Sequence, residues 1–274
     1  MTSIQNHTGK LFFLLLILLI PHGGSSQSRR HTPVQGDADF PYLPPGTDLE
    51  RHEQKVKAIR EKEYDLVLVG NSISQTVGEI GGKYEPLKAV WERYFAPHNA
   101  INLGYSGYRT ENILWNLYNG ELNFRRSPKL FVLLIGTNNA DSRHFPIAHS
   151  PRQIYAGTKA IVDLIRQRHP SSKILVLCIF PKGLDEQKDE ATSPPVFSFT
   201  PSDARKACKA GLLTRKLADN RNVFWINVNK VFVRPDGKIN VALMPDLLHP
   251  NLAGTEAWVG GIEPEMLRLM GINK

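Results

Sequence analysis

Asp65-Leu66-Val67-Leu68-Val69-Gly70-Asn71-Ser72-Ile73 decides how the rest of this 274-residue chain is read. Residues 66–69 are continuously apolar and partly β-branched, the pattern of a strand buried on both faces. Gly70 then lets the chain turn sharply. Ser72 would follow at the carboxyl end of that strand, where open α/β sheets hold their ligands. Most serines in such places are turn or cap residues. Ser72 therefore gains a chemical meaning only from what later stretches supply.

Outward from this stretch, strand and helix patterns alternate. A helical segment is expected around 85–95, with Leu87, Val90, Trp91 and Tyr94 on one face. Residues 100–103 form a second strand. Thr110 is expected to cap a helix over 111–118, with Ile113, Leu114 and Leu117 facing the core. Further strands are expected at 130–135, 174–180 and 223–228. Helices are expected from Ser150-Pro151 to His169, over 202–217, and over 252–270. Strands alternating with helices imply a parallel sheet covered on both faces, hence an α/β fold of five parallel strands. The 181–200 loop, with Pro194-Pro195, reads as a lid, a substrate edge or an inert insertion.

Upstream, Lys10 precedes the apolar run 11–20, which Pro21 and the small residues Gly23-Gly24-Ser25-Ser26 close. That is the layout of a secretory signal peptide over 1–26, with an uncleaved anchor as the alternative. Residues 27–49 read as a polar, proline-bearing leader that wraps the surface or stays disordered. A surface helix opens at Asp48 and runs to about Glu63. Residues 50–274 form one domain, and no later stretch looks transmembrane. The hydrophobic fraction of 41% suits a real core.

The net charge of +8 falls to +7 when residues 1–26 are removed, because that stretch holds Lys10 and no acid. The basic residues are scattered rather than striped with aromatics, which argues against nucleic acid. Cys178 and Cys208 could pair in an exported protein or remain two buried thiols. Neither has metal-ligand spacing.

Four blocks occur in order: Gly70-Asn71-Ser72-Ile73, Asn102-Leu103-Gly104-Tyr105-Ser106-Gly107, Gly136-Thr137-Asn138-Asn139 and Asp246-Leu247-Leu248-His249. The first three fall at strand ends, along one edge of the sheet. Acyl transfer needs a nucleophile, a base and donors for the oxyanion. Ser72 can be the nucleophile once a base takes its proton. His249 suits that role, since imidazole titrates near neutrality, and Asp246 can orient it. The amide of Asn138 and the backbone N–H groups of Gly107 and Ser72 can serve the oxyanion. Asp-x-x-His also suggests two metal ligands, but no third ligand accompanies it.

These blocks resemble those of the SGNH (GDSL) hydrolase family over about residues 50–270. The stretch from Trp91 to Asn139 is similar to the catalytic subunits of platelet-activating-factor acetylhydrolase and to their bacterial esterase relatives. The resemblance implies a flavodoxin-like, three-layer α/β/α fold without metal or cofactor. It implies Ser72, Asp246 and His249 as the catalytic residues, with Ser72, Gly107 and Asn138 as the oxyanion hole. Two departures stand out. Asn71 replaces the family's usual Asp, and Tyr108 stands where relatives often carry Asp; both are candidate substrate contacts.

The expected function is that of an exported serine esterase removing a short acyl group, acetyl in view of the resemblance, from a small ester or an acetylated glycan. The alternatives are a lysophospholipase or thioesterase, and a catalytically silent glycan-binding protein. The sequence leaves the oligomeric state open.

Overall fold

Five short apolar runs become five parallel strands: β1 (Leu66–Gly70), β2 (Ala100–Gly104), β3 (Leu130–Leu134), β4 (Lys173–Leu177) and β5 (Val223–Ile226). They appear in a computed structural model that describes residues 34–78 and 82–272. The expected signal peptide, and residues 27–33 of the leader, lie outside the described residues.

The strand order is β2-β1-β3-β4-β5. It is the flavodoxin-like order, and its topological switch lies between β1 and β3. Side chains alternate between two cores because successive residues of a strand point to opposite faces. Leu66, Leu68, Leu130, Val132, Leu175 and Leu177 pack on one face against α2 (Ser72–Gly78), α3 (Lys88–Tyr94) and α8 (Leu252–Met270). Val67, Val69, Ile101, Leu103, Phe131, Leu133, Ile174 and Val176 pack on the other. Their partners are α1 (Glu50–Glu61), α4 (Thr110–Asn116) and α6 (Pro151–Arg168). α7 (Pro201–Leu213) lies beside α6, and its Ala207 and Ala210 pack with Ile154 and Ile179. The result is the expected three-layer α/β/α fold.

Several boundaries differ from expectation. The helix placed over 85–95 opens as a 3₁₀ turn, Gly82–Leu87, with Pro86 inside it, and becomes α-helical only from Lys88. The helix placed over 202–217 ends its α-helical part at Leu213 and tightens into Thr214–Leu217. β4 and β5 stop at Leu177 and Ile226, short of the expected ends at Phe180 and Val228. Thr110 is not the cap of α4. Arg109 takes the extended N-cap backbone, and its N–H donates to Asn112 Oδ1 at 2.9 Å. The Thr110 hydroxyl instead donates to the carbonyl of Ala38 at 2.7 Å.

That last bond ties down the described part of the leader. Ala38 is fully buried, and Tyr42 N–H donates to the carbonyl of Glu111 at 3.1 Å. Residues 38–42 are thus tied to α4 by hydrogen bonds with Thr110 and Glu111.

Candidate active site

β1 and β2 both end in glycine, and Gly70 lies in register with Gly104 on one side and Leu134 on the other. A Cβ on Gly70 would stand 2.3 Å from the carbonyl oxygen of Leu134 and 2.4 Å from Ser74 Oγ. Only glycine lets α2 begin this close to the sheet. Asn71 caps the turn: its Oδ1 accepts from Ile73 N–H at 3.0 Å, and its carbonyl accepts from Gln75 N–H at 2.9 Å. Asn71 is 1% exposed. The structure places this candidate substrate contact in the turn that holds Ser72, with its side-chain oxygen engaged there.

Ser72 opens α2 with its side chain largely buried. Its Oγ lies 2.9 Å from His249 Nε2, across 177 residues of sequence. His249 Nδ1 lies 2.8 Å from Asp246 Oδ2. The other carboxylate oxygen of Asp246 accepts from the N–H groups of Leu248 at 2.9 Å and His249 at 2.6 Å. Burial alone would push the Asp246 carboxyl up. The bonds from His249 and from those two N–H groups outweigh it and hold Asp246 below the usual carboxylate range. An ionised Asp246 only accepts, so Nδ1 carries the proton of a neutral His249 and Nε2 is free to accept from the Ser72 hydroxyl.

The Asp246–His249 turn is held from outside. Leu247 adopts a left-handed backbone (φ 70°), which is costly for a branched residue, yet it is completely buried. Its carbonyl accepts from Gly183 N–H at 2.9 Å, and the carbonyl of Asp246 accepts from Phe197 N–H at 2.9 Å. Thr192 and Ser193 N–H both donate to the carbonyl of Pro245. The 181–200 loop therefore braces this turn. Phe197 also sets its ring edge-on to His249, with centroids 5.3 Å apart.

The oxyanion candidates follow the neighbouring strands. Gly107 lies beyond β2 with φ +75°, and a Cβ there would meet nothing within 4 Å. Glycine is favoured by the backbone conformation, and the space above it is open. Asn138 sits in the short helix α5 (Thr137–Ala140) directly after β3. Its Nδ2 donates to the carbonyl of Tyr108 at 2.9 Å, which fixes the amide plane and leaves a second hydrogen for another acceptor. Tyr108 stacks on Tyr105 at 4.7 Å. Ser72, Gly107 and Asn138 thus come from the ends of β1, β2 and β3, around the switch point.

Residues 68–257 match the model of the GDSL-like Lipase/Acylhydrolase family. The chain belongs to that family. It is an ester hydrolase. Platelet-activating factor acetylhydrolase IB subunit alpha1 from Bos taurus is 28% identical over 251 residues, which cover 90% of this chain and 92% of the relative. The fold is shared with a GDSL-like lipase from Bacteroides thetaiotaomicron, at TM-score 0.61 and 14% identity, covering 81% of this chain and 99% of that one. It is shared also with an acetyl xylan esterase, at TM-score 0.54 and 18% identity, covering 73% and 98%.

Around the centre of this GDSL-like hydrolase lie polar groups that sequence reasoning missed. Asn139, next to Asn138, accepts from Thr110 N–H at 3.0 Å, while its Nδ2 donates to Glu111 Oε2 at 2.9 Å and contacts His149 Nδ1 at 3.0 Å. His149 Nε2 meets the carbonyl of Gly36 at 2.8 Å, which fixes the proton on Nε2. Arg109 pairs with Glu111 at 3.0 Å. This buried network joins α5, α4 and the leader. The signal available was the second Asn of Gly136-Thr137-Asn138-Asn139. Elsewhere, Cys178 and Cys208 are both free, and burial pushes the Cys178 thiol up to about 12. Among the described residues, no cluster of three or more potential ligands could hold a metal ion, and no helix is long and apolar enough to cross a membrane.

Proposed function

We propose that the chain is an exported serine esterase that hydrolyses short-chain O-esters, acetyl esters above all, of a carbohydrate or small alcohol. The observation that carries this reading is the run of two hydrogen bonds from Ser72 Oγ through the imidazole of His249 to Asp246. In the proposed reaction Ser72 Oγ attacks the ester carbonyl carbon, and His249 Nε2 takes the hydroxyl proton. The carbonyl oxygen becomes an oxyanion, met by the N–H groups of Ser72 and Gly107 and by Asn138 Nδ2. Asp246 stays ionised and stabilises the imidazolium. His249 then gives its proton to the departing alcohol oxygen, leaving Ser72 acylated. Water, losing a proton to His249 Nε2, attacks the acyl carbon, and the imidazolium returns that proton to Ser72 Oγ as the acid departs.

The preference for a short acyl group rests on kinship with the acetylhydrolase subunit and on the acetyl xylan esterase fold. Export rests on residues 1–26, and mass spectrometry of the secreted product should find an N-terminus close to residue 27. The central test is hydrolysis of 4-nitrophenyl acetate by the mature chain beside Ser72→Ala. Turnover lost in the variant, with an unchanged circular dichroism spectrum, is the expected result. Equal rates in both would overturn the serine mechanism.

One observation favours a longer acyl chain. A cavity of about 720 Å³ opens beside Gly107, lined by Tyr42, Phe145, Pro146 and Ile147 among others. Under that reading kcat/KM rises from acetyl to octanoyl esters; under the leading one it falls.

A further inference from the structure

The chain contains a second Asp-x-x-His turn, built like the first. Asp141 Oδ1 accepts from the N–H groups of Arg143 at 2.9 Å and His144 at 3.2 Å, and Asp141 Oδ2 lies 2.9 Å from His144 Nδ1. Asp141 closes α5, the helix that carries Asn138: its N–H donates to the carbonyl of Asn138 at 3.3 Å. The ring of His144 packs on Phe197 with centroids 5.9 Å apart, and Phe197 packs on His249 at 5.3 Å. The two imidazoles therefore flank one phenyl ring. His144 is reached from the oxyanion side through α5 and from the base side through Phe197.

A surface histidine beside an exposed carboxylate would need no such support. Here the Asp141 side chain is 4% exposed, and it also receives the buried ammonium of Lys182 at 2.8 Å. Burial would raise its carboxyl, but Lys182, His144 and the backbone hold it down to about 2. Asp141 is thus a fixed anion and can only accept. In the neutral ring Nδ1 carries the proton, and Nε2 is left as an acceptor. The His144 side chain is 48% exposed, so this oriented imidazole is half open to solvent beside Phe197.

We propose that His144 Nε2 accepts a hydrogen bond from a hydroxyl of the leaving alcohol, so that the preferred substrate is an ester of a polyol or sugar that keeps a free hydroxyl near the acylated oxygen. The leaving oxygen must reach His249 to be protonated, which brings the alcohol to the Phe197 side of the site. This rests on the Ser72 esterase reading. His144 is a specificity-determining residue, and the proton transfers remain with His249.

The test compares two acetyl esters on the mature chain. One is a mono-O-acetyl methyl xylopyranoside with a free hydroxyl beside the ester. The other is 4-nitrophenyl acetate, whose leaving group carries no further hydroxyl. For His144→Phe, the ratio of kcat/KM on the sugar acetate to that on the nitrophenyl ester should fall roughly five- to tenfold, chiefly through KM. His144→Gln, which keeps an acceptor oxygen at similar reach, should restore most of the ratio. The deoxy sugar acetate should show no difference between wild type and His144→Phe beyond that seen on the nitrophenyl ester. An unchanged ratio in His144→Phe, whether both activities fall together or neither does, overturns the proposal. Ser72→Ala measured alongside separates the two failures: turnover that persists there sinks the esterase reading, whereas Ser72-dependent turnover with an unchanged ratio sinks the role of His144 alone.

Discussion

The turns Asp246–His249 and Asp141–His144 share a spacing and a hydrogen-bond pattern, yet their imidazoles face different partners. In both, one carboxylate oxygen takes two backbone N–H groups and the other takes the imidazole Nδ1. The first turn delivers Nε2 to Ser72 at 2.9 Å, and the second carries its imidazole on a half-exposed side chain. Their supports differ as well. Among the described residues Asp246 pairs with His249 and with two backbone N–H groups rather than with an ammonium, and its turn is forced through the left-handed Leu247 and clasped by the 181–200 loop. Asp141 shares its charge with the buried Lys182. An Asp-x-x-His turn makes an oriented imidazole, and what meets its Nε2 decides the chemistry.

Asparagine at each turn gives the widest separation between the two. Asp246→Asn keeps the oxygen for the two N–H groups but offers an amide to Nδ1, which turns His249 into the wrong tautomer. On 4-nitrophenyl acetate kcat should fall by roughly 10⁴-fold. Asp141→Asn makes the same exchange at His144, and the loss on that ester should stay below about tenfold, because the proton transfers do not pass through this ring. Equal losses at the two positions would show that the two turns act as one unit.

Next in size is stability. Lys182→Met leaves the Asp141 carboxylate buried without its ammonium, which should cost about 3 kcal/mol and lower Tm by roughly 8 °C in thermal unfolding. The pH dependence has a definite sign. The folded Asp141 titrates at about 2, below the ordinary 3.9 or so of a free carboxyl. Its contribution is present above the ordinary value and is lost as pH falls towards about 2. Without Lys182 that depression shrinks, so the acid-unfolding midpoint of the variant should move to higher pH. A midpoint that stays in place would mean that His144 and the backbone hold the carboxylate unaided.

The two turns also mark what the sequence made legible. β1, β3 and the residues after them could be read because buried parallel strands are continuous apolar runs and their ends carry the site. The Asp246–His249 turn became readable through its resemblance to a known family block. Asp141-Ser142-Arg143-His144 has the same spacing but no such block, and nothing local announces that Lys182, 41 residues away, will neutralise its aspartate. The role of the 181–200 loop was hidden for a similar reason. Its bonds to Pro245, Asp246 and Leu247 are made by backbone groups, which every residue carries. The overlong β4 followed from apolar residues that continue past the end of the strand. Ile179 and Phe180 are buried beyond the end of β4, Ile179 against Ala207 and Ala210 of α7 and Phe180 against Phe232 and Trp258.

Phe197 links the turns, and its removal is expected to have an intermediate effect. Phe197→Ala takes away the ring between the two imidazoles while leaving the Asp246–Phe197 backbone bond possible. We expect kcat/KM to fall about tenfold on the sugar acetate and less on 4-nitrophenyl acetate, since both recognition by His144 and the packing of His249 are loosened. An equal fall on both esters would place the ring's whole effect on His249.

The smallest effect is expected at a third place where a side-chain oxygen caps a turn. Asn71 Oδ1 accepts the N–H two residues on, as Asp141 and Asp246 do, but among the described residues its side chain bonds no imidazole and no ammonium. The cap needs an oxygen, and both Asn and Asp supply one. A charge at this buried position would be stabilised by the N–H of Ile73 and the start of α2, and opposed by desolvation. With these effects opposed, Asn71→Asp, which restores the residue usual in the family block, should change kcat/KM on 4-nitrophenyl acetate by less than about threefold and Tm by no more than roughly 2 °C. A large gain in rate would mean that charge beside Ser72 acts on the reaction itself. The contrast between the two Asp-x-x-His turns would then have to include this third turn, where the same cap carries no histidine at all.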